Sequence, residues 1–443
     1  MSLTREEARG LVERVLEMSR ADECAVSVNG SRDGNIRFAR NEVTTSGDTD
    51  DVTVSVRTSF GKRSGSSSVN QFDEESLGRC VRQAEEIARF APEDPEHVAA
   101  LPPQQYRAIE AWSEETAELA PERRAEVAKK AIDFATQKKV VIAGFLTNSG
   151  RVSALGNSKG LFGHHRQTQI TFSTTARTSD GKGSGWAGVN GEVWKEVDAI
   201  GLARTAVDKA FRSAAPRELA PGTHTVILEP AAVADLLLYM GFSMDARSAD
   251  EGRSFFSRKG GGNKIGEKVL SERVTAWTNP ADPRAPGSPF APDGLATRKM
   301  SFVEDGVVTA LSYSRYWAEK QGKQATPQPQ NMILKGGSGS LADLIRDTKK
   351  GVLVTRLWYI RFVDPQTLLL TGLTRDGTFR IENGKIRQPV KNFRWNDSPI
   401  SVFSKLDAMT REVRARGSEA EDFAIVCPAI RTQLTFSSLS EAV

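Results

Sequence analysis

Histidine is almost missing from this chain: in 443 residues there are four, His97, His164, His165 and His224. None is followed by glutamate, which excludes HExxH zinc motifs and their relatives. Cysteine is scarcer still. Cys24, Cys80 and Cys427 are odd in number, far apart and form no CxxC, so neither a disulfide framework nor a dithiol redox motif is expected, and a reducing cytoplasm fits. No apolar run could span a bilayer, because the longest, Val226 to Met244, is broken by Glu229, Pro230 and Asp235. The opening Met1-Ser2-Leu3-Thr4-Arg5-Glu6-Glu7 lacks the apolar stretch of a secretory signal, so none is expected. Also absent are a run of five basic residues, a GxxxxGK[ST] phosphate loop and a GxSxG elbow; Gly336-Gly337-Ser338-Gly339-Ser340 has serine where the last glycine belongs.

What is present is ordinary globular material. A hydrophobic share of 39% and a charged share of 26% supply core and surface for two or three domains. The net charge of +4 is small for the length, but it is unevenly spread: residues 1–110 carry a net of −6, leaving +10 for the rest. A basic second part could face an acidic partner or nucleic acid. The dispersion of its cations favours simple solvation instead.

The first half reads as two copies of one unit. Thr4 and Glu7 form a capping box for a helix with Ala8, Leu11, Val12, Val15 and Leu16 inward. Short alternating strands follow at Cys24–Val28, Ile36–Phe38 and Val52–Val56, then a helix from about Asp73 to Phe90 and a Pro-rich linker, Pro92 to Pro103. The order recurs with a helix starting at Pro121, strands at Val140–Leu146, Arg151–Leu155 and Gln167–Ala176, and a helix from about Val197 to Ala214. Residues 61–70 and 181–190 match at six of ten positions with a constant offset of 120. The expected division is therefore a domain over 1–220, built of pseudo-repeats 1–110 and 116–215 that share a sheet, and a second domain over 221–443. The latter opens with a strand, His224–Leu228, and one apolar helix from about Ala231 to Met244. It continues through Gly- and Pro-rich loops, hairpins at Asp305-Gly306 and Asn383-Gly384, and a short helix capped by Ser340. The fold class is α+β, with a β-rich second domain around a central apolar helix.

Chemistry is harder to find. Gly61-Lys62 and Gly181-Lys182 read as hairpin turns; His164-His165 reads as a loop pair; Cys24 and Cys80 fall on core faces. Asp245, Asp250 and Glu251, with Arg247 and Arg253, could line a cleft or merely solvate a helix exit. Thr355 to Arg361 alternates charged and large residues, as an exposed binding strand would, or as a sheet strand whose Arg stems cover apolar surface. Residue types alone give no catalytic constellation.

Several segments, in order along nearly the whole chain, resemble the TldD/PmbA family. They are Ile36-Arg37-Phe38-Ala39-Arg40-Asn41-Glu42; Glu229-Pro230 before the apolar helix; Gly252-Arg253-Ser254-Phe255-Phe256; Ile265-Gly266-Glu267-Lys268-Val269; residues 351–356; residues 377–386; and Pro389-Val390-Lys391. The resemblance implies an N-terminal α/β domain, a β-rich C-terminal domain and a role in trimming peptides. TldD is the zinc peptidase subunit, and TldE its partner without a metal site. Catalytic members carry HExxxH on the apolar helix and a cysteine ligand near the C-terminus. The corresponding positions here, Leu238, Tyr239, Met240, Gly241, Phe242 and Ser243, supply no histidine and no glutamate, and Cys427 sits displaced from the family's cysteine. The resemblance thus implies a TldE-like chain with no zinc, no cofactor and no peptidase activity of its own. It would pair with a TldD-like zinc subunit or with itself and help hold a peptide. Peptide contacts are expected from Asp245, Arg247, Arg253, Arg356, Trp358, Tyr359 and Arg361. The alternatives are a homodimeric peptide binder, a metal-independent hydrolase, or a gyrase-associated modulator binding nucleic acid, for which no recognised motif is present.

Overall fold

The computed structural model of the chain describes residues 3–440. Helix α1 (Arg5–Met18) starts at a complete capping box: Thr4 Oγ1 accepts from the Glu7 N–H, and the Glu7 carboxylate accepts from the Thr4 N–H at 2.8 Å. Three strands follow, β1 (Glu23–Ala39), β2 (Glu42–Phe60) and β3 (Arg63–Val69), and then α2 (Glu74–Phe90), capped by Asp73. After the one-turn α3 (Glu114–Ala117) the order returns as α4 (Pro121–Gln137), β4 (Val140–Asn157), β5 (Phe162–Thr178), β6 (Ser184–Gly191) and α5 (Ala199–Ser213). The six strands make one antiparallel sheet in the order β3-β2-β1-β4-β5-β6, so the two units join at β1 and β4. Cys24, Val26, Val28, Ile36 and Phe38 alternate along β1, fall on one face and are buried with the helices.

Several short strands expected from the sequence are fused. Cys24–Val28 and Ile36–Phe38 belong to one strand of 17 residues, and Val140–Leu146 and Arg151–Leu155 to one of 18. The glycines between them mark close approach, not turns. A Cβ on Gly34 would lie 2.0 Å from Arg124 Nη1, and one on Gly150 would lie 3.0 Å from the Trp112 ring. His164 and His165 likewise sit inside β5 and not in a loop. Gly61 and Gly181 do turn the hairpins, with φ of +56° and +72°. Four residues beyond each, Gly65 and Gly185 lie under α2 and α5, where a Cβ would come within 2.2 Å of Ala84 O and 2.1 Å of Ala206 O. The repeated ten-residue pattern thus records the same helix-on-glycine packing twice.

The second half holds two further sheets. One runs through Val307–Val308, Met300–Glu304, Ala276–Thr278, Asn331–Leu334, Ala424–Cys427 and Val413–Ala415. In the other, β7 (Gly222–Leu228) lies between Ile430–Leu439 and Lys350–Val354. Leu357–Asp364 forms one edge of that sheet, paired with Leu369–Thr374. The strand expected over Thr355 to Arg361 therefore begins only at Leu357, with Thr355 and Arg356 dividing it from Lys350–Val354. The division has a cause: Arg356 turns inward, to Asp376 (2.6 Å) and Ser418 Oγ (2.6 Å).

Helix α6 (Pro230–Phe242) passes between the two sheets, touching Ala424–Cys427 and Asn331–Leu334 on one side and β7 and Leu357–Asp364 on the other. A helix covered on both sides must be apolar nearly all round, which explains the Val-Ala-Asp-Leu-Leu-Leu composition. Among the described residues, no helix is long and apolar enough to cross a membrane. The halves are joined by polar contacts: Ser184 Oγ to Asp376 (2.5 Å), Lys209 to Glu229 (2.7 Å), Arg414 to Glu192 (3.2 Å) and the Arg356 guanidinium 4.5 Å from the Trp186 ring centroid.

Candidate functional site: the cleft at the end of helix α6

The last turn of α6 leaves the core. Leu238 and Met240 are buried, whereas Phe242 is 66% exposed. Leu238, Gly241 and Phe242 line a cleft of about 480 Å³ together with Met332, Phe423 and Pro292, and with the polar groups of Asp245, Asp293, Ser312 and Tyr313. The walls are apolar and the rim carries two carboxylates, each satisfied by one backbone N–H: Ser248 to Asp245 (2.7 Å) and Leu295 to Asp293 (3.1 Å). Such a cleft can take an apolar segment whose basic or amino group meets the rim.

Behind the cleft lies Asp235, fully buried in the middle of α6. Its carboxylate accepts the N–H groups of Ser418 (2.9 Å), Glu419 (2.8 Å) and Ala420 (3.0 Å). Gly417 packs so closely on it that a Cβ would lie 2.0 Å from Oδ1. Burial pushes the Asp235 carboxyl up to about 7, against the pull of the three N–H donors. The anchored loop in turn holds the edge strand: Glu419 accepts the Ile360 N–H at 2.9 Å, and Ser418 Oγ donates to Leu357 O at 2.6 Å. In the sequence Asp235 reads only as an interruption of an apolar run. A lone carboxylate on an otherwise apolar helix was the available signal of a buried anchor.

The structure scatters the other residues expected at a peptide site. Asp245 lines the cleft. Arg247 is held by Glu96 (2.7 Å) and Glu251 (3.1 Å), and Arg253 by Glu251 (2.5 Å). Arg356 is half-buried in the joint between the halves, paired with Asp376 and facing the Trp186 ring. Trp358 lies under the Arg375 guanidinium, 4.1 Å away. Tyr359, at φ +54°, and Arg361 stack on each other at 4.3 Å on the edge strand. Tyr359, Phe362 and Val363 are all exposed there, and Phe362 meets Tyr239 at 5.1 Å.

The comparisons agree with this architecture. Domains described as PmbA/TldA metallopeptidase domain 1, central domain and C-terminal domain match residues 24–88, 114–214 and 221–438. The chain belongs to the TldD/PmbA family. A "Metalloprotease" of Methanothermobacter thermautotrophicus is 26% identical over 59% of this chain and 60% of its own length, so this chain spans under two thirds of that relative. "Metalloprotease PmbA" of Escherichia coli O157:H7 is 23% identical over 81% of this chain and 79% of its own. TldE from Thermococcus kodakarensis superposes with a TM-score of 0.85 at 19% identity, covering 97% of this chain and 99% of that one, which shows a shared fold.

The residues at the positions resembling HExxxH do not fit zinc. Leu238, Gly241 and Phe242 offer no donor atom. The Tyr239 hydroxyl donates to Ile360 O at 2.7 Å, and Ser243 Oγ to Tyr239 O at 3.0 Å. The Cys427 thiol is buried and contacts Pro230 O at 3.3 Å, and burial pushes it far up from the ordinary thiol value, away from the thiolate that a metal requires. Among the described residues, no three His, Cys, Asp or Glu side chains are grouped to hold an ion.

Proposed function

We propose that this chain is a zinc-less, TldE-like subunit of a cytoplasmic TldD/TldE-type metallopeptidase complex. Its α6 cleft shapes the chamber in which unfolded or modified peptides are held for cleavage by the partner. One observation carries the reading: the turn that the resemblance aligns with HExxxH lies at a cleft and presents Leu238, Gly241 and Phe242 to it. A surface built that way binds apolar side chains and supplies neither a Lewis acid nor a base. The exposed edge strand Leu357–Asp364, tied to α6 through Asp235 and Glu419, supports pairing with a second chain by strand addition.

The test is co-expression with a protein of the same family that carries HExxxH. The expected result is a stable pair that cleaves extended peptides in a chelator-sensitive way, with one zinc per pair. This chain alone is expected to show neither zinc nor cleavage. One zinc per chain in the untagged protein alone would overturn the reading, as would chelator-resistant cleavage by the chain alone. Strict failure to pair, with itself or the relative, would remove the subunit role.

A further inference from the structure

We propose that the free half of strand β5 is a docking site for an extended acidic peptide segment, separate from the α6 cleft and independent of the reading given for it. β6 pairs only with Ile170–Arg177, so the first half of β5 has β4 on one side and no strand on the other. The Thr168 N–H points out of that open side, donating to Ala111 O at 2.8 Å. Because successive residues alternate, the main-chain groups of His164 and Arg166 share that direction, and among the described residues no backbone partner meets them. Beside this edge lies a cavity of about 410 Å³, walled across from β5 by an extended segment, residues 104–112.

Charge selects the occupant. Arg5, Arg107 and Arg166 all line the cavity, and among the described residues none has a carboxylate within ion-pair distance; Glu110 is the acidic group in the lining. Arg5 lies 5.3 Å from the Phe162 ring centroid and Arg166 4.6 Å from that of Trp112. Stacking uses the face of a guanidinium and leaves its in-plane N–H groups to donate outward. Arg5 also occupies the first turn of α1, where the helix dipole disfavours a cation. The His165 imidazole in the same wall is 7% exposed, and its Nε2 has no hydrogen-bond partner. Three unpaired guanidiniums beside an unpaired strand edge suit a peptide that adds a strand through its main chain and places carboxylates on alternate residues against the arginines.

Fluorescence anisotropy of a labelled peptide alternating Glu with Thr and Val, titrated with the full chain, tests this. The acidic peptide is expected to bind, and the same peptide with Lys for Glu is not. Arg107→Glu and Arg166→Glu should each weaken binding roughly tenfold or more, whereas Arg204→Glu on the far helix should leave it unchanged. N-methylation of alternate peptide nitrogens, which keeps every charge, should also cost about tenfold by removing main-chain donors. All the substituted side chains are exposed, and unchanged melting curves would show that the variants fold. An apolar extended peptide, suited to the α6 cleft, should not compete, so loss of either signal alone identifies which site has failed. Absence of acidic-peptide binding, unaltered binding by both arginine variants, or equal binding of the N-methylated peptide with displacement by inorganic phosphate would each overturn the proposal.

Discussion

Asp235 concentrates the polar chemistry of the second half into one side chain. Its carboxyl is raised from an ordinary 3.8 to about 7, chiefly by burial. The folded state therefore holds a proton that the unfolded state has released between those values, and this contribution to stability is present at low pH and lost as pH rises from about 4 to about 7. Asp235→Asn removes the titration, so the urea midpoint of the variant should lose that part of its pH slope. The substituted amide keeps one acceptor oxygen and turns its NH2 towards at least one of the three N–H donors of residues 418–420, and the variant should be less stable at pH 5 by about 1–3 kcal/mol. A variant that keeps the wild-type slope would show that Asp235 does not titrate in this range. Arg356→Ala acts on the joint between the halves, leaving Asp376 buried beside Ser184 without its cation. Chemical denaturation should show a loss of about 3 kcal/mol, far more than truncation of exposed Arg253.

At the scale of elements, α6 and the glycine-backed helices decide stability. Leu237 is fully buried, and Leu237→Ala should cost about 2–5 kcal/mol, because two sheets cannot both collapse onto the vacancy. Gly185→Ala drives a methyl at the backbone of α5 and should cost about 1–3 kcal/mol. Gly65→Ala should do the same against α2, and denaturant midpoints would show both or refute the equivalence. These elements were legible because their causes are local: capping by Thr4 and Ser340, proline at Pro121, Asp-Gly and Asn-Gly turns, and apolar spacing. Strand lengths were not, since Gly34 and Gly150 look like turn signals until Arg124 and Trp112 arrive from elsewhere in the chain. The site was half legible. Leu238, Gly241, Phe242 and Asp245 do meet at a cleft, but the arginines expected beside them are held elsewhere: Arg247 and Arg253 by the neighbouring Glu251, and Arg247 and Arg356 also by Glu96 and Asp376, which no local pattern announces.

For the whole molecule, the proposed pairing places a demand on the open edge at Leu357–Asp364. Val363→Asp adds a charge to an exposed position, so the isolated chain should melt as before, within about 0.5 kcal/mol, while the complex with a zinc-bearing relative should no longer survive gel filtration. An unaffected complex would move the interface elsewhere. The order of strands in the same sheet also bears on how the protein is made. β7 is flanked by Ile430–Leu439 and Lys350–Val354, with Leu228 opposite Ile430. The first half, whose sheet is complete once β6 has been made, can mature as it leaves the ribosome, but β7 and the apolar α6 behind it must wait roughly 10–40 s for the strand that covers them. During that interval the most oily helix of the chain has no sheet to enclose it. The nascent second half is thus a ready client for a chaperone, and pausing translation before Ile430 should leave a protease-resistant first half attached to a sensitive remainder.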